Sequence, residues 1–226
     1  MNKYISVAID GPAGAGKSTV AKRVASELGY LYVDTGAIYR TVGYHMQLMG
    51  IGPKDADGIR RCIDDVNIRL EYQEDGIQHM LLNGFDVTER IRTPEISAMA
   101  SGVAAHACVR DYLMDMQRSL ARTNNVVMDG RDIGTVVLPQ AQVKIFLTAS
   151  AEIRAERRYR ELLAKGEKVE YAKVYTEVVQ RDLQDSTRKV APLKCAEDAV
   201  VVDASYLTVD QVVAEIKEII QRKAEQ

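Results

Sequence analysis

The chain of 226 residues contains no tryptophan, two phenylalanines and three cysteines. Cys62, Cys108 and Cys195 lie far apart and form no C-x-x-C pair, so we expect a reducing compartment rather than a disulfide scaffold. No apolar run approaches the roughly 18 residues of a membrane span, and no signal-peptide pattern opens the chain. These absences predict a cytoplasmic protein.

An excess of charge of one sign is also missing. The 30 Lys and Arg residues are balanced by 32 Asp and Glu residues, which gives a net charge of −2. This balance argues against a nucleic-acid or membrane partner. His45, His79 and His106 show no metal-binding spacing. The composition is that of an ordinary globular protein, and a monomer is the simplest expectation.

Residues 11–18, here called the phosphate loop, match G-x-x-x-x-G-K-[ST] completely. An apolar run, 4–9, precedes the loop and a helix-compatible run, 18–28, follows it, so a chance glycine-rich turn is the weaker interpretation. Glycines let backbone N–H groups turn inward towards an anion, and the helix N-terminus adds its positive dipole end. The motif therefore predicts a nucleoside triphosphate site in which Lys17 reaches the β- and γ-phosphates and Ser18 ligates Mg²⁺. The predicted ATP-binding residues are Gly11, Pro12, Ala13, Gly14, Ala15, Gly16, Lys17, Ser18 and Thr19.

Strand and helix patterns alternate along most of the chain, which predicts an α/β, three-layer P-loop NTPase fold with about five parallel core strands. Ligands of such sheets bind at the carboxyl ends of the strands, where we expect Gly11, Asp34 and Asp129. The region 65–90 departs from this pattern. There Ile68 and its neighbours alternate with polar residues, Asp75-Gly76 predicts a type I′ turn, and 77–82 returns as a partner strand. We interpret it as an inserted antiparallel subdomain.

Local signals mark several helix starts. Thr93 followed by Pro94 predicts an N-cap with proline in the first turn, and the segment 208–211 predicts a capping box. Thr35 is expected to cap the helix after the second strand, with Arg40 one to two turns further on. Whether these two residues face an anion or are only a cap and a solvated charge stays open.

Asp129 ends an apolar strand, which is the Walker B arrangement, and could hold Mg²⁺ directly or through water. Arg131 and Asp132 follow in the same loop, and a surface ion pair is the simpler interpretation of them.

Two arginine-bearing helices follow. The arginines of the first are Arg154, Arg157, Arg158 and Arg160, and Arg181, Asp185 and Arg188 share one face of the second by their i, i+4, i+7 spacing. Arginine-bearing helix faces are usually solvated. The planar guanidinium group of arginine, however, matches the geometry of a phosphate group, and these arginines cluster although the chain as a whole is slightly acidic.

Together the segments IDGPAGAGKST, DTGAIYR, IRTPEIS, ASGVAAHACVR, DGRDIGT and RDLQDSTRKVAPL resemble bacterial cytidylate kinases over nearly the whole chain. The resemblance implies transfer of the γ-phosphoryl group of ATP to CMP or dCMP, with Mg²⁺. It also implies a single P-loop kinase domain, 1–226, with an NMP-binding insert at about 60–105 and a short lid at about 150–170.

Carried over by position, the resemblance implies the following roles. Thr35, where the family often has serine, Arg40, Arg131 and Arg188 would hold the CMP phosphate. Ser101, Arg110 and Asp132 would read cytosine, and Arg181 and Asp185 would hold the ribose. Lys17, Arg131, Arg157 and Arg188 would be catalytic, with Arg157 or its neighbours closing over the transferring phosphoryl group, and Ser18 would ligate Mg²⁺.

Three alternatives remain at this point. The first is another small-molecule P-loop kinase, of the UMP/CMP, adenylate or shikimate type. The second is a nucleotide-dependent switch or motor, although the chain lacks the N-K-x-D motif of a GTPase. The third is a scaffold that binds ATP without turnover.

Overall fold

The computed structural model describes residues 4–73 and 78–224. The strands are β1 (Ser6–Asp10), β2 (Leu31–Asp34), β3 (Ile68–Tyr72), β4 (Gln78–Leu82), β5 (Phe85–Asp86), β6 (Val126–Gly130), β7 (Val143–Thr148) and β8 (Val200–Asp203). The α-helices are α1 (Lys17–Leu28), α2 (Thr35–Leu48), α3 (Ala56–Cys62), α4 (Pro94–Val103), α5 (Ala107–Thr123), α6 (Ala151–Ala164), α7 (Tyr171–Thr187) and α8 (Val209–Ala224). A 3₁₀ helix spans Ile63–Asp65 and a π-helical turn spans Ile133–Val137. The chain divides into two compact units, which are Met1–Leu31 with Asn125–Gln226, and Tyr32–Asn124.

A parallel sheet has the strand order β2-β6-β1-β7-β8, and its last four strands belong to the first unit. At its centre Ile9 of β1 pairs with Asp129 of β6 on one side and with Ile145 of β7 on the other. Every residue of β1 and β6 is buried, as expected for strands of a parallel sheet that helices cover. The five-stranded α/β fold that the alternating pattern predicts is therefore confirmed.

Helices flank this sheet. The helix α1 packs against β6 and β1, α8 packs against β7 and α1, and α6 packs against α7. The predicted capping box at the start of α8 is present, since the Thr208 N–H donates to Gln211 Oε1 (2.8 Å) and the Gln211 N–H donates to Thr208 Oγ1 (3.3 Å). Within 4–73 and 78–224, no helix is both long enough and apolar enough to cross a membrane.

The second unit contains the antiparallel sheet that the sequence predicts, with the order β3-β4-β5. Ile68 pairs with Leu82, and side chains along β3 alternate between more buried and exposed positions. The predicted turn at Asp75-Gly76 lies outside the described residues. In the same unit α2 packs closely on α4, since a Cβ on Gly43 would lie 3.0 Å from the Ala100 nitrogen.

The start of α2 corrects one prediction. Thr35 is the first helical residue and not the cap, because the Asp34 side chain accepts the Ala37 N–H at 2.8 Å. By contrast, Thr93 caps α4 as predicted, accepting the Ile96 N–H at 3.2 Å. The strand pattern places Asp34 at the end of β2 but does not reveal its second role as a helix cap.

Candidate active site

The phosphate loop joins β1 directly to α1. Gly11 has φ +149°, and a Cβ built there would lie 1.9 Å from the carbonyl oxygen of Leu147, so a side chain does not fit. Gly16 occupies the N-cap of α1 with φ 92°, in the left-handed region that glycine tolerates best. The loop thus takes a path that its glycines permit, and the N–H groups of the first turn of α1 have no partners within the helix.

Lys17, the first residue of α1, is buried, and its Nζ donates to the carbonyl oxygen of Pro12 at 2.7 Å. Burial, and next the positive charge of Arg131, lower the pKa of Lys17 to about 7, against the opposing attraction of Asp129 and Asp10. An anion in the loop would restore a favourable environment for the ammonium group. The lysine is therefore suited to holding phosphate.

Ser18 and Asp129 meet at the same end of the sheet. The Ser18 hydroxyl donates to Asp129 Oδ2 at 2.9 Å, and Asp129 is buried near the end of β6. A hydroxyl and a carboxylate are hard oxygen donors of the type that Mg²⁺ prefers, and Mg²⁺ commonly takes only one or two protein ligands beside substrate phosphates. Within the described part of the chain no group of three or more His, Cys, Asp or Glu side chains could hold a metal ion. The pair fits a magnesium ion held jointly with a substrate.

Two arginine–carboxylate pairs join the loop after β6 to the end of α7. Arg131 Nε donates to Asp185 Oδ2 at 2.8 Å, and Arg188 Nη2 donates to Asp132 Oδ1 at 3.4 Å. Both carboxylates are buried. Arg131 and Asp132 therefore do not form the isolated surface pair that the sequence left open, because each has a partner that follows more than 50 residues later in the chain.

Arg181 lies one turn before Asp185 on α7, close enough for its charge to lower the pKa of Lys17, although burial and Arg131 act more strongly. The first unit thus brings together the phosphate-loop lysine and five of the predicted CMP-binding residues, which are Arg131, Asp132, Arg181, Asp185 and Arg188.

Among the arginines of α6, Arg154 makes the contact with the phosphate loop. Its side chain is buried, donates to the carbonyl oxygen of Ala13 (3.1 Å), and forms a two-bond pair with Asp182 of α7 (2.9 and 2.6 Å). Arg157, the predicted catalytic residue of this helix, donates instead to the carbonyl oxygen of Ala204 at 2.6 Å. Arg158 and Arg160 form ion pairs within the helix, as solvated arginines do.

The remaining predicted CMP-binding residues belong to the second unit. Thr35 is buried, and Arg40 Nη2 donates to Asp34 Oδ2 at 3.0 Å. The Nε of Arg40 is buried without a hydrogen-bond partner among the residues that the structure describes. Arg110 is buried over the ring of Tyr39, 5.5 Å from its centroid. A buried guanidinium group such as that of Arg110 is costly unless something charged or aromatic faces it.

Ser101 lies on α4, the helix that packs against α2, and is half-buried. It is the one predicted cytosine reader of this unit that carries no charge.

Sequence reasoning missed three residues that support the site. Asp10 ends β1 and contacts the loop after β6, Asp182 holds Arg154, and the buried Lys144 reaches Asp198 (2.9 Å) from β7. Asp10 directly precedes the phosphate loop, which was the available signal. The partners of Asp182 and Lys144 lie 28 and 54 residues away, so the sequence offered no local sign of them.

The sequence comparisons with known proteins agree on one family. The family model described as Cytidylate kinase matches residues 7–222. A cytidylate kinase of Carboxydothermus hydrogenoformans is 52% identical over 217 residues, covering 96% of this chain and 97% of the relative. A cytidylate kinase of Shouchella clausii is 46% identical over 226 residues and covers 100% of both chains.

Solved structures support the fold alone. A gluconokinase from Sinorhizobium meliloti aligns with a TM-score of 0.50 at 16% identity, covering 100% of this chain and 96% of that one. An uncharacterized protein from Eubacterium ventriosum aligns with a TM-score of 0.53 at 12% identity, covering 96% and 98% of the two chains.

Proposed function

The chain belongs to the cytidylate kinase family, and on this premise we propose that it transfers the γ-phosphoryl group of ATP to CMP or dCMP, giving ADP and CDP or dCDP. The observation that carries the proposal is the meeting, in one unit, of the phosphate-loop Lys17 with the pairs Arg131–Asp185 and Arg188–Asp132. A donor site and an acceptor site for phosphate groups are both needed for this reaction, and these residues supply the charges for both.

ATP is held by the phosphate loop together with Thr19, with Lys17 at its β- and γ-phosphates. The resting contact of Lys17 with the Pro12 carbonyl is given up in favour of a charged partner, which strengthens the bond. Ser18 and Asp129 would hold Mg²⁺, Asp129 directly or through water. The metal would neutralise charge on the triphosphate.

The acceptor needs no general base. A phosphate monoester has a second pKa near ~6, so CMP already carries a dianionic nucleophile at pH 7. The protein's task is to align that oxygen with the γ-phosphorus and to neutralise the combined charge. Arg131 and Arg188 orient the CMP phosphate and neutralise its charge. Their paired carboxylates hold both guanidinium groups in place beforehand.

Base selection rests on Asp132. Cytosine presents an N4 amine, from which a carboxylate accepts a hydrogen bond, whereas uracil presents an O4 acceptor that would face the carboxylate unpaired. Asp132 is buried, which makes an unsatisfied contact there costly. Arg181 and Asp185 hold the ribose, and the family resemblance adds Thr35 and Arg40 at the phosphate and Ser101 and Arg110 at the base.

Arg157 completes the proposal at the transferring phosphoryl group. One of its terminal nitrogens, Nη2, donates to the Ala204 carbonyl oxygen, and the other N–H groups of the guanidinium would supply the donors for that role. We also propose the domain organisation implied by the resemblance, a single domain over 1–226 with an NMP-binding insert at about 60–105 and a lid at about 150–170. The sheet β3–β5 falls within that insert and α6 begins that lid, which supports both assignments. A cytoplasmic monomer without nucleic-acid or membrane partners stays a prediction from composition.

A coupled ADP-release assay with ATP and Mg²⁺ tests the function. Six conditions are compared, which are CMP, dCMP, UMP, AMP, GMP and no acceptor. We expect CMP or dCMP to exceed AMP and GMP by at least about 100-fold in kcat/KM, because the larger purine bases match neither the size nor the hydrogen-bonding groups of a site for cytosine. Preference for another acceptor would support the assignment as a kinase but contradict the assignment of the cytosine-binding residues. Acceptor-independent hydrolysis would indicate a switch or motor, and no turnover at all would indicate a scaffold.

The magnesium assignment has its own test. Ser18→Ala removes one of the two oxygen donors, and we expect the Mg²⁺ concentration for half-maximal activity to rise about 10-fold, a typical loss for a disturbed metal site. Ser26→Ala, on the exposed face of the same helix α1, is the matched control and should leave this concentration unchanged. An unaltered Mg²⁺ dependence in Ser18→Ala would remove Ser18 from the metal site.

A further inference from the structure

Asp10 is a buried carboxylate to which the proposed reaction gives no role beyond its electrostatic attraction for Lys17. It is the last residue of β1 and directly precedes Gly11 of the phosphate loop. Each of its oxygens accepts one backbone N–H, Oδ1 from Ile133 at 2.8 Å and Oδ2 from Gly134 at 2.7 Å. The side chain therefore spans from the strand that enters the phosphate loop to the segment that follows β6.

The two amides that Asp10 binds open the π-helical turn immediately after Asp132. Asp132 is the N-cap residue of this turn, and its carbonyl oxygen accepts the N–H groups of Val136 (2.9 Å) and Val137 (3.1 Å). A π-helical turn is a rare element that is frequent at functional sites. Fixing its first two amides fixes the backbone from which the Asp132 side chain extends.

A second side chain encloses the same turn. A Cβ on Gly134 would lie 3.1 Å from Lys144 Cδ and 3.4 Å from Asp10 Oδ2, so the turn packs between these two residues. Lys144 is itself anchored to the Pro139 carbonyl oxygen at 2.7 Å and to Asp198. The turn thus has little room to shift relative to β1 and β7.

Burying the Asp10 carboxylate costs free energy. Burial raises the pKa of Asp10 to about 6, although the bonds from Gly134 and Ile133 oppose the shift, and the nearby Asp132 adds to it. An apolar residue of similar size would avoid this cost but would leave the Ile133 and Gly134 N–H groups without the acceptors that Asp10 supplies.

We propose that Asp10 is a positioning residue for base recognition. Through the amides of Ile133 and Gly134 it holds Asp132 at a fixed position relative to the phosphate loop. The inference rests on the proposed function, because it assigns Asp132 to cytosine. Asp10 itself touches no substrate. It determines where the Asp132 carboxylate lies relative to the end of β1, where the phosphate loop begins.

The test is Asp10→Asn, which keeps the side-chain shape but turns an N–H₂ group towards one of the two backbone N–H donors. We expect the ratio of kcat/KM for CMP over UMP to fall about 5- to 10-fold and KM for CMP to rise, while KM for ATP changes less than about 3-fold. Asp203→Asn is the matched control. Asp203 ends β8 and likewise accepts two hydrogen bonds from the loop that follows, from the N–H and hydroxyl of Ser205 (2.9 and 2.6 Å).

A double-mutant cycle with Asp132→Asn separates positioning from general structural support. If Asp10 acts through Asp132, Asp10→Asn should lower the CMP-over-UMP ratio no further once Asp132 is replaced. Independent, additive losses of selectivity would overturn the inference, as would equal rises in KM for CMP and ATP.

Two further comparisons keep the test decisive. Should Asp10→Asn not fold, Gly134→Ala displaces the same turn from the Lys144 side, against a flexible side chain, and the same loss of selectivity is expected. If Gly134→Ala keeps wild-type selectivity, the turn does not position Asp132 and the inference fails. If the wild-type chain does not phosphorylate CMP at all, the proposed function fails, which the wild-type assay reveals before any variant is made.

Discussion

Lys17→Met is expected to lower kcat by about 10³-fold, the upper range for removing one charged donor from a developing anion. The lysine is buried at the start of α1, where its Nζ donates to the Pro12 carbonyl oxygen at 2.7 Å. In the reaction its ammonium group neutralises charge that grows on the β–γ bridging oxygen as the bond to phosphorus breaks. Methionine fills the space and removes the charge. Steady-state kinetics with ATP and CMP measures the loss.

The loss should not come from unfolding. The pKa of Lys17 is lower in the folded protein, about 7, than its ordinary value of 10.5, so folding disfavours the charged form. A base with a depressed pKa destabilises the fold below pH 10.5, and the cost grows as the pH falls towards 7. We therefore expect the melting temperature of Lys17→Met at pH 7 to be no lower than that of the wild type. Lys22→Met, an exposed lysine of the same helix, is the control. Wild-type turnover in Lys17→Met would refute the assignment of the phosphate loop.

Asp132→Asn is expected to narrow the preference for CMP over UMP by about 10- to 100-fold, the equivalent of leaving one buried polar group without its hydrogen bond. The asparagine amide can turn its N–H₂ group towards uracil O4, whereas the carboxylate can only accept. Arg188 stays anchored, since its Nε donates to the Ala191 carbonyl oxygen at 2.7 Å independently of Asp132. The loss should therefore appear in base selectivity more than in phosphate transfer.

The measurement is kcat/KM for CMP and UMP at fixed ATP. Asp210→Asn is the control, because Asp210 pairs with Arg23 on the surface between α8 and α1 and has no role at the site. Equal loss on both acceptors would make Asp132 a structural residue that merely anchors Arg188. Unchanged selectivity would mean that another group reads the base.

Elements whose signals are contiguous were predictable. The phosphate loop could be predicted from eight successive residues. Its two requirements, glycines that tolerate left-handed backbone and the start of a helix, are local properties of the sequence. The alternation along β3 and the capping box of α8 are local in the same way, and both are present. The cap prediction for Thr35 is wrong because two adjacent residues, Asp34 and Thr35, can each cap a helix, and the choice depends on where β2 ends.

The partners of the arginines were not predictable. Sequence spacing places Arg154 and Arg158 on one face of α6, yet the structure buries Arg154 and leaves Arg158 in a surface ion pair with Glu161. That difference arises from the packing of α6 against α7, which brings Asp182 to Arg154. The π-helical turn after Asp132 likewise has no periodic signature, and its first two amides donate to the Asp10 carboxylate of another strand, a contact that the sequence does not indicate.

The sequence by itself determined the phosphate loop, the parallel α/β architecture, the antiparallel sheet β3–β5 and the family, because each is encoded in short-range spacing or in motifs read in order. Only the tertiary structure decided which carboxylate holds which arginine, that Arg154 contacts the phosphate loop while Arg157 contacts Ala204, and that Asp10 supports the segment after β6. These pairings join residues that are distant in sequence, and burial strengthens them by removing the competing water, so they exist only once the sheet and helices have packed.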